Sequence, residues 1–171
     1  MVSRVSSAVL LLVCLASPAV FAAMVWMARA GGRRATGALA GGVVAALFNI
    51  VWDGLARQQD WWTYPDTNDV LATLALALSV AFVFGGAAGL AGWRMMRAMG
   101  WTGVATFFAG FVGLGVLRDH LLAANTTLLV FGPGPMPQLM GALGYLSLAL
   151  AVQVTMLVMA GPPRRDSLRA S

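Results

Sequence analysis

The chain contains no lysine and no glutamate, and it has a single cysteine and a single histidine. All of its fixed charge therefore comes from eleven arginines and six aspartates, a net of 11 − 6 = +5. Only 10% of residues are charged, against about 25% in an ordinary soluble domain. So few charged side chains cannot cover a soluble body of 171 residues, 60% of which are apolar. The apolar surface must face lipid. The basic balance does not point to nucleic acid, and no such partner is expected. The arginines stand in short clusters between apolar runs, the arrangement that orients membrane proteins. The lone Cys14 excludes a disulfide framework and a cysteine metal site. Val13 is too bulky to precede a lipidated cysteine, so Cys14 reads as a packing residue. Nucleotide motifs, multi-histidine signatures and nucleophile constellations are missing too. No cofactor and no metal site is expected.

Five segments approach the ~20 apolar residues needed to cross ~30 Å of hydrocarbon. They are residues 6–27, 35–56, 70–92, 101–117 and 138–160. None alternates as a barrel strand would, and unpaired backbone is costly in lipid, so each is expected to be helical. The predicted fold is all-α: a transmembrane helical bundle of five spans, one domain over residues 1–161, with a short basic tail at 162–171. Arg29, Arg33, Arg34, Arg94, Arg97, Arg164, Arg165 and Arg169 fall on one side of such a bundle. Arg4, Arg57 and Arg118 fall on the other, with Asp60, Asp66, Asp69 and Asp119. The positive-inside rule then puts the N-terminus outside and the C-terminus in the cytoplasm. Residues 1–23 also read as a secretory signal, with Arg4, an apolar run and a small-residue stretch ending in Ala22-Ala23. Cleavage there would leave four spans and reverse the charge bias, so the first span is read as permanent.

Small residues let helices approach closely in lipid. Stripes of them run along the later spans: Gly37, Gly41 and Ala45; Ala81, Gly85 and Gly89; Gly103, Thr106, Gly110 and Gly113; Gly144, Ser147 and Ala151. They predict a compact bundle and leave a homo-oligomer open. Tyr145 and Gln153 are expected to bond between helices. Residues 121–131 form a further apolar stretch, too short to span. It is read as a re-entrant or interfacial helix ended by Gly132-Pro133-Gly134-Pro135.

Chemistry is most legible on the second span. Gly42, Ala46, Asn49 and Asp53 share one helical face, with the polar pair toward the outer side. An ionisable group within a span suggests function unless it is paired. The same side receives Trp61, Trp62, Tyr64 and Asn68, and then Arg118, Asp119 and His120. Asp53, Arg118 and His120 are the candidate catalytic residues; Asn49, Trp61, Trp62, Tyr64 and Asp119 are candidates for binding. The competing reading makes Asp53–Arg118 a structural ion pair, the aromatic residues a headgroup belt and His120 an interfacial side chain.

The stretch from Asn49 to Pro65, with Trp52-Asp53-Gly54 near a helix end and Trp61-Trp62 in the loop, resembles a segment of the integral-membrane lycopene cyclases and related carotenoid-modifying proteins. That resemblance implies an isoprenoid or other apolar lipid as ligand, with Asp53 at the position of a functional carboxylate. The family's Pro-Glu-Glu motif has no counterpart here. Gly92-Trp93-Arg94, Arg118-Asp119 and the Arg-Asp tail resemble uncharacterised bacterial multi-pass proteins, which implies a bacterial inner membrane. The sequence leads to a small binding, scaffold or accessory protein in the bilayer. The alternative is an enzyme on an apolar lipid, with Asp53 as acid and Trp61, Trp62 and Tyr64 meeting cationic character. An oligomeric transporter comes third.

Overall fold

The computed structural model describes residues 6–65 and 70–163. Five helices carry the chain: α1 (Ser7–Met27), α2 (Gly32–Gln58), α3 (Val70–Met99), α4 (Trp101–Asn125) and α5 (Met136–Ala160). All five are long and apolar enough to cross a membrane. Their large apolar side chains point outward as well as inward: Leu15 is 74%, Leu114 69% and Val158 74% exposed. Such a surface suits hydrocarbon and not water, so the chain is an integral membrane protein of the helical-bundle type.

Helices in lipid gain little from hydrophobic burial against one another and associate through close contact. The contact centre is α2 against α3 and α5. Gly42 and Gly85 face each other so closely that a Cβ on Gly85 would collide with the Gly42 Cα and the Ala45 side chain. Gly41 lies against Val152, and Gly37 against Met156 and Met159. The stripes on α2 and α3 are thus real interfaces. The α4 stripe is not. Of its members only Gly103 is buried; Thr106, Gly110 and Gly113 are exposed. The face of α4 that packs is Gly103, Phe107, Phe111 and Gly115, where Phe107 and Phe111 join Leu148 and Val152 in the core. Aromatic volume, rather than a small-residue groove, sets that contact. Helix α1 lies along α3, with Leu10 against Ala72 and Ala75, and with the Phe21 and Phe82 rings 6.0 Å apart. In the middle of α3, Ser79–Ala87 is wound as a π-helix, a form common near functional sites.

The helix ends dictate the connections. Gly100 alone joins α3 to α4; its φ of +61° reverses the chain at once, a conformation glycine adopts without strain. After α2, Asp60 takes a left-handed φ of +54°. The Trp61 amide bonds the Ala56 carbonyl and the Asp60 amide that of Arg57, a Schellman ending. It folds the chain back over the bundle into a two-residue strand, β1 (Trp62–Thr63). This strand pairs antiparallel with β2 (Val130–Phe131), Trp62 opposite Phe131 and Thr63 opposite Val130. Gly132 continues the clamp by donating to the Trp61 carbonyl at 2.8 Å; a Cβ there would strike the Asp60 carbonyl.

The expected separate helix over 121–131 is therefore corrected. Its first half extends α4 to Asn125, and its end becomes β2. An apolar run at a helix exit prolongs the helix until the Thr126 hydroxyl, bonding back to Leu122, closes it. The spans also exceed their expected limits, α3 by seven residues and α4 by eight (99 − 92 and 125 − 117).

Gly85→Val is expected to destabilise the bundle by about 1–3 kcal/mol through overpacking against Gly42. Gly110→Ala, which meets nothing within 4 Å, should leave stability unchanged or slightly raised by helix propensity. Thermal unfolding in mild detergent distinguishes the two; equal losses would contradict the described packing of α4.

Candidate functional site

Asp53 sits on α2 one turn after Asn49, whose Nδ2 donates to Asp53 Oδ2 at 2.5 Å. The other carboxylate oxygen is served from the loop. Trp62 Nε1 donates to Oδ1 at 3.0 Å, and the Tyr64 hydroxyl reaches the same oxygen at 3.4 Å. Both depend on the Schellman turn and on the β1–β2 clamp, which hold Trp62, only 6% exposed, beneath the strand pair. The Asp53 carboxylate thus rests on three neutral donors.

The neighbouring carboxylate is held differently. Arg118 Nε and Nη2 both meet Asp119 Oδ1, at 3.0 and 2.7 Å. The Tyr145 hydroxyl donates to Asp119 Oδ2 at 2.9 Å. The guanidinium lies over the Phe84 ring, 4.8 Å from its centre, with the Tyr145 ring at 5.9 Å. The expected Asp53–Arg118 ion pair is therefore replaced by Arg118–Asp119. Adjacent residues at the close of α4 reach each other without rearranging the bundle, and loop donors already serve Asp53. The cluster holds two carboxylates and one guanidinium, a formal sum of 1 − 2 = −1.

Outside the spans, Tyr64 feels this field. Burial pushes its hydroxyl well above the ordinary tyrosine range; the charges of Asp53 and Asp119 add to the shift and Arg118 opposes it.

Three spaces meet here. A cavity of about 40 Å³ lies between Asn49, Trp52, Asp53, Trp62, Tyr64, Arg118, Asp119 and Tyr145. At roughly 10–15 Å³ per water it accommodates only a few solvent molecules. Two lateral crevices are far larger and fall within the ~300–1,000 Å³ range of ligand sites. One, of about 360 Å³, opens between α1, α3 and α4. Leu10, Ala75, Leu76 and Leu122 are among its walls, and Tyr64, Ser79, Arg118 and Thr126 are its polar members. The other, of about 440 Å³, opens between α2 and α3 and reaches Asn49, Asp53 and Tyr64. The π-helical segment borders both, with Ser79 and Phe84 on the first and Val80 on the second.

Six expected site residues, Asn49, Asp53, Trp62, Tyr64, Arg118 and Asp119, line the small cavity together. Trp61 does not; it packs at a tilt between Trp52 and Trp62 with ring centres 6.2 and 6.1 Å away. His120 turns aside: its Nδ1 lies 2.9 Å from the Val116 carbonyl and its ring packs on Phe131. Among the described residues no three His, Cys, Asp or Glu side chains gather as metal ligands. Asp66, Asn68 and Asp69 lie outside the described residues. Tyr145 and Gln153 both bond between helices, Gln153 Nε2 to the Gly89 carbonyl at 3.0 Å. Trp52, Phe84 and Leu129 complete the site without having been foreseen. Their signal is tertiary: Trp52 lies across Gly144, and Leu129, 2% exposed, is buried under the clamp.

Asp119→Asn leaves the Arg118 guanidinium without its ion pair and should cost about 1–3 kcal/mol. Asp60→Asn, at an exposed turn, should cost far less; chemical unfolding in detergent compares them. Tyr64 is held neutral in the fold, so its contribution is present below pH ~10 and is lost as pH rises beyond the ordinary tyrosine value. Tyr64→Phe should accordingly flatten the alkaline limb of the stability profile, measured by unfolding at stepped pH. No protein-family model matches this chain, and no curated protein and no solved structure matches it.

Proposed function

We propose that this integral membrane protein binds a lipid with an apolar tail, laid in the crevice between α1, α3 and α4 with its polar end toward Arg118 and Tyr64. The supporting observation is the crevice itself: about 360 Å³, almost wholly apolar along its walls, and open at the side of the bundle. The Arg118 side chain remains 27% exposed despite its ion pair, so it is within reach of an incoming head group. A crevice of this shape excludes water from the tail and offers directed polar contact at one end only, which suits an amphipathic ligand. The charge bias supports placing the cluster at the outer face of a cell membrane, with the C-terminus in the cytoplasm.

A second reading follows from the crevice between α2 and α3, which reaches Asp53 from the opposite side. An isoprenoid lying there would present a double bond to the Asp53 carboxyl group, the acid of the reaction. Tyr64, which lines that crevice, would face the resulting carbocation with its ring. The asymmetry between Asp53, served by neutral donors, and Asp119, paired with a guanidinium, favours distinct roles for the two carboxylates.

The binding reading is tested by lipid analysis of the purified chain. The wild type should retain an apolar lipid at close to one per chain, and Leu122→Trp, at a half-buried wall of the first crevice, should lose it while remaining folded. Equal lipid retention by both would overturn the proposal. Asp53→Asn separates the readings. A binder keeps cellular lipid and pigment profiles unchanged, whereas an enzyme accumulates its substrate.

A further inference from the structure

Among the described residues, Trp52 Nε1 is a buried donor for which the chain supplies no acceptor. The indole is held in place on both sides. It stacks on Phe48, with 5.6 Å between ring centres and 14° between planes, and lies across Gly144, where a Cβ would strike Nε1. Trp52 and Gly144 line the small cavity together with Asp53 and Asp119. A buried N–H without an acceptor is costly, and an apolar tail cannot serve it.

The cavity also has acceptors to offer. An ionised carboxylate carries about four lone-pair sites. Asp53 takes three donors, from Asn49, Trp62 and Tyr64. Asp119 takes three as well, two from Arg118 and one from Tyr145. Each carboxylate keeps about one acceptor site. The group that completes this wall must accept from Trp52 and donate to a carboxylate, which a hydroxyl oxygen does. An ionised carboxylate or phosphate only accepts, and it would add negative charge to a cluster whose formal sum is already 1 − 2 = −1. An ammonium only donates, and leaves Trp52 Nε1 orphaned. At about 40 Å³ the cavity suits a few oxygen atoms rather than a branched head group.

We propose that this cavity binds a neutral hydroxyl oxygen, which accepts from Trp52 Nε1 and donates to Asp53 or Asp119. Two sources supply such an oxygen. Water, with two donors, completes both carboxylates; the alcohol end of an amphipathic lipid completes one. Tyr64 and Arg118 line both this cavity and the crevice between α1, α3 and α4, so the oxygen site adjoins the polar end of the tail site. The alcohol source rests on the lipid reading above and makes its head group a neutral alcohol; the water source stands without it.

The test equilibrates the full chain in mild detergent with dodecanol, dodecanoate or dodecane, which share one chain length. After washing, the retained probe is measured by gas chromatography. In parallel, nuclear magnetic resonance measures cross-relaxation between the Trp52 indole proton and water. W52F keeps an aromatic ring, removes the donor and identifies that proton by its loss. With alcohol as occupant, dodecanol should be retained over both other probes on the order of tenfold, and W52F should bring that preference near unity. With water as occupant, dodecanol gains no preference and the indole proton contacts a long-lived water. Retention led by dodecanoate would overturn the proposal, as would an indole proton that meets neither water nor alcohol. Failure of the wild type to retain any probe would sink the lipid reading alone, and the indole–water contact then decides the oxygen site. Should W52F not fold, the wild-type probe ranking and the sequence-assigned indole resonance decide.

Discussion

A carboxylate within a membrane helix has to be met by donors, and much of one end of this bundle is organised around that requirement at Asp53. Asn49 supplies one donor from the preceding turn; Trp62 and Tyr64 supply the others from a loop that must return over the helix ends to deliver them. The return rests on a left-handed Asp60, a Schellman ending on α2 and a two-residue strand pair. Unpaired polar groups are expensive away from water, so this small clamp is worth more in a bilayer than its size suggests.

The second carboxylate, Asp119, meets the same demand by another route: a charged neighbour and the Tyr145 hydroxyl. Two acidic groups beside a shared small cavity are thereby placed in unlike electrostatic surroundings. The ring faces of Phe84 and Tyr145 complete the containment of Arg118. Such a network is rigid at its centre and open at its sides, where the crevices bring apolar space up to polar groups. That combination is what recognition of an amphipathic molecule requires.

The bundle is also electrically divided. Arginines at one end cap helix termini and gather on Trp93, while the half-buried acids Asp53 and Asp119 stand at the other. Close glycine contacts between α2 and α3 hold the middle. Close backbone approach there lets a π-helical stretch of α3 sit between the two crevices. The same helix therefore carries both the tightest packing and the largest openings.

Five spans, the division of charge and the gathering of polar residues near Asp53 were legible from the residues alone. Hydrophobic length and arginine spacing are local properties that lipid reads directly. Helix continuation past residues 92 and 117, and the conversion of 121–131 into a helix end and a strand, were not: polar residues end an apolar run but not a helix, and residues 93–99 and 118–125 hold no glycine or proline to stop one. The small-residue rule was right for Gly41 and Gly85 and wrong for Gly110, since a stripe states that a neighbour can come close and not that one does. Only the tertiary structure chose Asp119 over Asp53 as partner of Arg118 and turned His120 outward. Those outcomes follow from which groups the chain reversals carry within hydrogen-bond reach. The identity of the spans was written in the sequence; the wiring of the site was decided by the connections between them.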